Sequence, residues 1–201
     1  MLGDQALDKI CNIEEVKTVL DVGSGYCNHS NKLADCGKDV TAIDLYDRPA
    51  KLDGRVSFVK GLFEHTGYLG KFDCVWCSHV LEHVLNTQSF LEKLIDHVKD
   101  DGYLAITVPP LKDDIVGGHV SLFNAGIILY RLILAGLDVK EAKVKKYGYN
   151  ISIIVKKKRI TDDIYSKLVF DRGDIETLSP YFPEGYNFHG FDGNIEELNW
   201  D

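Results

Sequence analysis

Two hydrophobic rhythms alternate along this chain. Short, near-continuous apolar runs cover residues 17–22, 40–43, 56–59, 72–78 and 102–108. Runs this short, ending in acidic, small polar or proline residues, suit buried strands of a parallel sheet. Between them, apolar residues recur at helical spacing. Residues 4–13 carry Leu7, Ile10 and Cys11 on one face, and residues 88–99 carry Phe90, Leu91, Leu94, Ile95 and Val98. A short helix is predicted over 28–36, stopped by Gly37. Asn124 can cap a strongly apolar helix that runs to Ala135, with Gly136 at its end. Two further strands, 139–146 and 150–157, flank the turn Tyr147-Gly148-Tyr149.

The alternation predicts an α/β domain over residues 1–158. It is a doubly wound, mostly parallel, seven-stranded sheet with a C-terminal antiparallel hairpin. Residues 159–201 lack a period but hold Tyr165, Phe170, Tyr181, Phe182, Tyr186, Phe188, Phe191 and Trp200. That is too aromatic for a disordered tail. An ordered extension packed on the domain is expected, serving as a lid or a dimer contact.

The chain has 201 residues and a formal net charge of −8, which gives no electrostatic footprint for nucleic acid. The first eight residues lack an apolar leader, and the apolar stretch 125–137 is broken by Arg131 and too short to span a bilayer. A cytoplasmic protein without membrane contact is expected. The five cysteines are scattered and odd in number, so no disulfide framework is expected. Cys74 and Cys77 form a C-x-x-C pair. Within a strand they point to opposite faces, and no second pair completes a zinc site.

The chemistry begins at Val19-Leu20-Asp21-Val22-Gly23-Ser24-Gly25, an apolar run that meets an acid and then a Gly-x-Gly turn. Such a turn lets backbone approach a nucleotide-like ligand at a helix N-terminus. Asp44 ends the second strand, where a carboxylate can accept hydrogen bonds from ribose hydroxyls. A dinucleotide fingerprint needs a third glycine where this chain has Asn28, which disfavours a nicotinamide oxidoreductase.

Over residues 15–157 the sequence resembles the class I S-adenosylmethionine-dependent methyltransferases. Four segments carry the resemblance: Val19 to Gly25, Val40-Thr41-Ala42-Ile43-Asp44, the run from Phe72-Asp73 to Val80-Leu81-Glu82-His83-Val84, and Gly102 to Pro109. The resemblance implies S-adenosylmethionine as cofactor. Asp21 would attract the methionine ammonium, and the turn Gly23-Ser24-Gly25-Tyr26 would approach the methionine and ribose. Asp44 would bind the ribose hydroxyls, Leu45 would cover one face of adenine, and Gly61-Leu62-Phe63 would line the other. Ser78 and His79 would close the pocket. Two positions depart from the family's usual pattern: Cys27 stands where a third glycine is common, and Leu62 where many members carry Asp. Glu64 or a backbone amide would take over that contact.

A hydroxyl acceptor needs a base for its departing proton, and histidine titrates near neutrality. His119, in a Gly118-His119-x-x-x-Phe123 segment after the fifth strand, is the first candidate, with loop anchoring as its other reading. His83, after the fourth strand, is the second; it either orients a loop or takes part in catalysis. His97 suits the end of a helix dipole, His65 and His189 read as surface residues, and His29 has no assigned role. Tyr147, Tyr149 and Asn150 form either an ordinary turn or a stacking surface for the acceptor. The lysines at 143, 145, 146 and 156–158 with Arg159 read as a solvated face or a contact for an anionic acceptor. Residues 111–118 read as a lid. Asp113-Asp114 lacks a third ligand, so no metal is expected.

The function expected is methyl transfer to a small-molecule or glycan acceptor, most plausibly at oxygen, with a histidine base. The alternative is a cofactor-binding or catalytically inactive methyltransferase-like interaction module.

Overall fold

A computed structural model describes residues 2–47, 51–187 and 190–201. The predicted positions Phe188 and His189 lie outside these. Eight strands form one sheet in the order β3-β2-β1-β4-β5-β7-β6-β8. They are β1 (Thr18–Val22), β2 (Asp39–Asp44), β3 (Val56–Lys60), β4 (Phe72–Ser78), β5 (Val98–Val108), β6 (Lys143–Tyr147), β7 (Asn150–Lys156) and β8 (Glu197–Leu198). The first five are parallel, whereas β7 runs antiparallel to both β5 and β6. Strand β6 therefore points the same way as β1–β5, and its turn into β7 lies at the carboxyl end of the sheet.

Side-chain alternation along β1 and β4 divides the core into two layers. Leu20, Val22, Val75 and Cys77 face helices α3 (Thr87–Asp96) and α4 (Ala125–Leu134). Val19, Cys74 and Trp76 face α1 (Asp4–Cys11) and α2 (Asn28–Asp35). Cys74 and Cys77 are both buried, one in each layer, as their strand spacing predicts. Asn124 caps α4 through its side chain, which accepts from the Ile127 amide. Asp73 clamps the amino ends of the strands. It accepts from the Lys17 and Thr18 amides and from Thr18 Oγ1, and it pairs with Lys99 at 2.8 Å. Burial alone would raise its pKa; the Lys99 contact and these hydrogen bonds outweigh that and lower it to about 2.

Three boundaries differ from the sequence expectation. Strand β5 starts at Val98 rather than 102, because the chain pairs Phe72 with Val98 before a register shift. The last helix before it ends at Asp96. The expected strand 139–146 begins at Lys143. An eighth strand, unexpected, comes from the extreme C-terminal segment, where Leu198 pairs with Val144 and Glu197 with Lys145.

The segment after residue 159 buries Leu178, Phe182 and Ile195 in the layer of α3 and α4, and Trp200 in the other. It also consumes much of the basic face. Lys145 pairs with Glu197, Lys146 with Glu196, and Lys143 donates to the carbonyls of Asn199 and Asp201. Lys157 is buried and donates to Val98 O, and Arg159 pairs with Asp96. These cations serve packing of the chain on itself.

Candidate functional site

At the carboxyl ends of β1–β4 opens a cleft of about 390 Å3, lined by Gly23, Asp44, Leu45, Tyr46, Gly61, Leu62, Phe63, Glu64, His79, Val80 and His83 among others. This is where open α/β sheets bind ligands.

One wall is made by backbone. Gly23 has a φ of +73°, and a Cβ there would lie 2.2 Å from Val80 Cγ2, so only glycine admits this crossing of the turn by the β4 loop. The amides of Gly23 and Ser24 both donate to Ile43 O, which fastens the turn to the end of β2. Asp44 accepts from the Gly25 amide on one carboxylate oxygen and from the Tyr46 amide on the other, each at 2.9 Å. Two amides thus fix the carboxylate and leave lone pairs for hydroxyl donors. The Gly61 amide donates to Asp44 O, which sets Gly61-Leu62-Phe63 along the opposite wall. Leu45 and Leu62 stay exposed, whereas Phe63 is buried against Phe90.

Not every predicted cofactor residue lines this cleft. Asp21 is only 2% exposed and lies beneath the turn, where Ser30 Oγ donates to it at 2.5 Å. Burial pushes its carboxyl up to about 7. Ser24, Gly25 and the exposed Tyr26 sit at or beyond the rim. Ser78 turns toward α1, with its Oγ near Gly3. Glu64, expected to take over the contact that Leu62 cannot make, lines the cleft, and so do Tyr46 and Val80, which the sequence did not single out as cofactor contacts. Tyr46 follows two residues after Asp44, which accepts from its amide.

The other wall is made by side chains. His79 holds a left-handed backbone, φ +56°, rare for a non-glycine residue. Its Nε2 meets Asn150 Oδ1 at 3.0 Å, and its Nδ1 lies 3.3 Å from Glu82 Oε1. Burial lowers the imidazolium's pKa, but the contacts with Glu82 and Asn150 more than offset this and raise it. Asn150 also accepts from the Gly3 amide and donates to Tyr147 O, so the β6–β7 turn is tied to both α1 and the cleft. Tyr147 uses its hydroxyl to accept from the Ala6 amide and to bond Ser152 Oγ. Tyr149 stacks on His79 with ring centroids 6.2 Å apart, and Lys112 lies over its ring.

His83 and His119 meet edge to face at 4.9 Å between centroids, although 36 residues separate them. The Val120 and Ser121 amides donate to Glu82 O and hold the two segments together. His83 Nδ1 lies 2.8 Å from Gly118 O, and since a carbonyl only accepts, Nδ1 carries the hydrogen. In the segments that follow β4 and β5, Leu85, Leu111, Ile115, Val120 and Leu122 are exposed. The remaining described histidines lie elsewhere. His97 is buried with both ring nitrogens engaged by backbone of Lys93 and Leu69, so it braces the core, a correction to the helix-dipole reading. His29 joins Leu2 O to Trp76 Nε1, and His65 is exposed.

Comparison with known proteins agrees with this geometry. A family profile described as a methyltransferase domain matches residues 4–145. The chain is 34% identical over 102 residues to the mitochondrial ubiquinone biosynthesis O-methyltransferase of Schizosaccharomyces pombe, covering 45% of this chain and 37% of that one. It is 35% identical over 98 residues to the Shewanella pealeana ubiquinone biosynthesis O-methyltransferase, covering 44% and 42%. The chain thus spans less than half the length of these relatives. The structure of Burkholderia thailandensis 1,6-didemethyltoxoflavin-N1-methyltransferase with bound S-adenosylhomocysteine superposes with a TM-score of 0.62 at 18% identity, over 76% of this chain and 78% of that one. Among the described residues no helix is long and apolar enough to cross a membrane. With the strand order, the glycine turn under Val80 and the Asp44 carboxylate at the end of β2 in place, the chain belongs to the class I methyltransferase-domain family, whose cofactor is S-adenosylmethionine.

Proposed function

We propose that this chain transfers the methyl group of S-adenosylmethionine to an oxygen of a small-molecule acceptor. The observation that carries the reading is the junction of two unlike walls in one cleft. The backbone wall around Gly23 and Asp44 suits the donor, and His83 lines the same cleft. An acceptor oxygen placed between them attacks the methyl carbon in line with the carbon–sulfur bond. The bond to sulfur breaks, the sulfonium becomes a neutral thioether, and the acceptor's proton leaves on the side of His83 and His119. Holding the two reactants in line supplies most of the rate advantage, and a positioned base adds about 100- to 10,000-fold.

The choice of oxygen rests on the relatives, which are O-methyltransferases by name. The exposed leucines, isoleucine and valine in the segments after β4 and β5 favour an acceptor with an apolar part, and Lys112 over Tyr149 can close above it. Asp21 would act on the methionine ammonium from beneath the turn, and Asp44 on the ribose. Methyl transfer from labelled S-adenosylmethionine, measured across phenols, catechols, sugars, amines and carboxylates, tests the reading. Label carried only by amines would overturn the choice of oxygen. Absence of S-adenosylhomocysteine binding by calorimetry would overturn the donor site.

A further inference from the structure

We propose that Glu82, His83 and His119 form a binding site for a divalent transition-metal ion beside the methyl-donor cleft. One donor atom from each lies within 4.8 Å of the others. Two ligands held at about 2.1 Å in a tetrahedral site stand roughly 3.4 Å apart, so the half-exposed His119 has a short distance to close.

Three features of the site argue for a cation. Glu82 is 1% exposed; His79 Nδ1 stands 3.3 Å from Oε1, and among the described residues no other hydrogen-bond donor reaches either carboxylate oxygen. A buried carboxylate so thinly partnered gains from a further positive charge against it. His83 supplies the second feature. Its Nδ1 hydrogen is given to Gly118 O, so the lone pair of the neutral ring sits on Nε2, 3.9 Å from Glu82 Oε1. A lone pair facing a carboxylate across that gap is repulsive with nothing between them and attractive around a cation. Metal-bound histidines characteristically donate their second ring N–H to a backbone carbonyl in this way. Gly118 makes the arrangement possible: its φ is +83°, and a Cβ would press to 3.1 Å from His83 Nδ1.

The third feature is rigidity. The Val120 and Ser121 amides bind Glu82 O at 2.8 and 3.2 Å, so the segment bearing His119 is held against the segment bearing the other two ligands. His79, 3.3 Å from Oε1 and fixed by Asn150, orients the carboxylate from outside the set. Two imidazoles with one carboxylate suit zinc, manganese, iron(II) or cobalt rather than magnesium or calcium, which prefer all-oxygen sites.

The role of the ion rests on the methyl-transfer reading and revises its proton path: with His83 and His119 as ligands, the ion rather than either imidazole would promote loss of the acceptor's proton. An ion there keeps open positions toward the cleft. An acceptor hydroxyl bound to one of them loses its proton to solvent more readily. The resulting oxyanion forms its bond to the methyl carbon as the carbon–sulfur bond breaks.

The test is titration of the full chain with Co2+, followed by visible absorption, in parallel with calorimetric titration of S-adenosylhomocysteine. One equivalent of Co2+ is expected to bind with a nitrogen and oxygen spectrum, without the thiolate band that Cys11 and Cys36, which contact each other, would give. His83→Ala and His119→Ala, both on accessible side chains, should each weaken Co2+ at least tenfold. His65→Ala should leave it unchanged. Glu82→Gln should abolish binding. No saturable binding up to millimolar Co2+, or binding indifferent to the two histidine variants, overturns the site. Normal S-adenosylhomocysteine binding in that case leaves the donor site standing. Cobalt binding without nucleoside binding overturns the donor site and leaves the metal site standing.

Discussion

The two walls of the cleft are built by opposite means. On the donor side, backbone does the work: the amides of Gly23, Ser24, Gly25, Tyr46 and Gly61 form the hydrogen bonds that fix the shape. On the other side, His79, Glu82, His83, His119, Tyr149 and Asn150 do it with side chains drawn from three separate loops. A wall made of backbone depends on a turn that few sequences can form, and its ligand contacts are the same in every chain that forms it. A wall made of side chains can be rewritten one residue at a time, which is how a shared donor site serves different acceptors.

The sharpest way to break this contrast is at the crossing of the two walls. Gly23→Ala places a methyl group into Val80 and forces a left-handed alanine. A loss of about 3 kcal/mol, read as roughly 100-fold weaker S-adenosylhomocysteine binding or as a lower melting temperature, is expected. Near-normal values for both would show that the turn does not pass under Val80 as described.

On the acceptor side, His83→Ala and His119→Ala are expected to lower turnover about 100-fold while donor affinity stays constant. A parallel fall in donor affinity would erase the division between the walls. Asp44→Ala should do the reverse. It removes the acceptor of two amide hydrogen bonds and the proposed ribose partner, and should weaken the donor by about 2 kcal/mol, roughly 30-fold, in calorimetry.

The smallest effect is one of pH. Asp21 has its carboxyl raised to about 7 in the free protein, so it is largely neutral below that pH. On the proposal that Asp21 meets the methionine ammonium, binding needs the ionised form, so donor binding would release a proton. Affinity should then rise with pH, by at most about tenfold between roughly pH 6 and pH 8. For the free protein the sign is opposite: the raised pKa stabilises the fold below the unfolded value, and this contribution disappears as pH rises through about 7. Asp21→Asn keeps an acceptor for Ser30 and should flatten both profiles, as seen in calorimetry and thermal melts.

The contrast also explains what the sequence makes legible. Strands with apolar runs and the Asp44 terminus follow from local pattern, because each is written in consecutive residues. The Glu82–His83–His119 cluster is not consecutive. The sequence shows only Asp113-Asp114, which lacks a third ligand, while the residues that the fold gathers lie 36 apart, brought together by hydrogen bonds from the Val120 and Ser121 amides to Glu82 O. The contacts of Asn150 are hidden for the same reason: the sequence places it in a turn, and the fold buries it between Gly3 and His79. The eighth strand escapes because two residues carry too little pattern. Its partner is chosen by charge, the acidic Glu196 and Glu197 against Lys146 and Lys145.

Cys27 occupies the place of the family's common third glycine, and its φ of +60° is the dihedral a glycine would supply. Its thiol is fully buried, 3.5 Å from Ser24 Oγ, and burial raises its pKa, so it is a poor nucleophile. The left-handed geometry costs an L-residue about 1–2 kcal/mol, which the packed side chain helps to offset. The motif is therefore spelled in dihedral angles rather than in letters. Kinship of this kind survives the loss of a signature residue for as long as the backbone still turns the same corner.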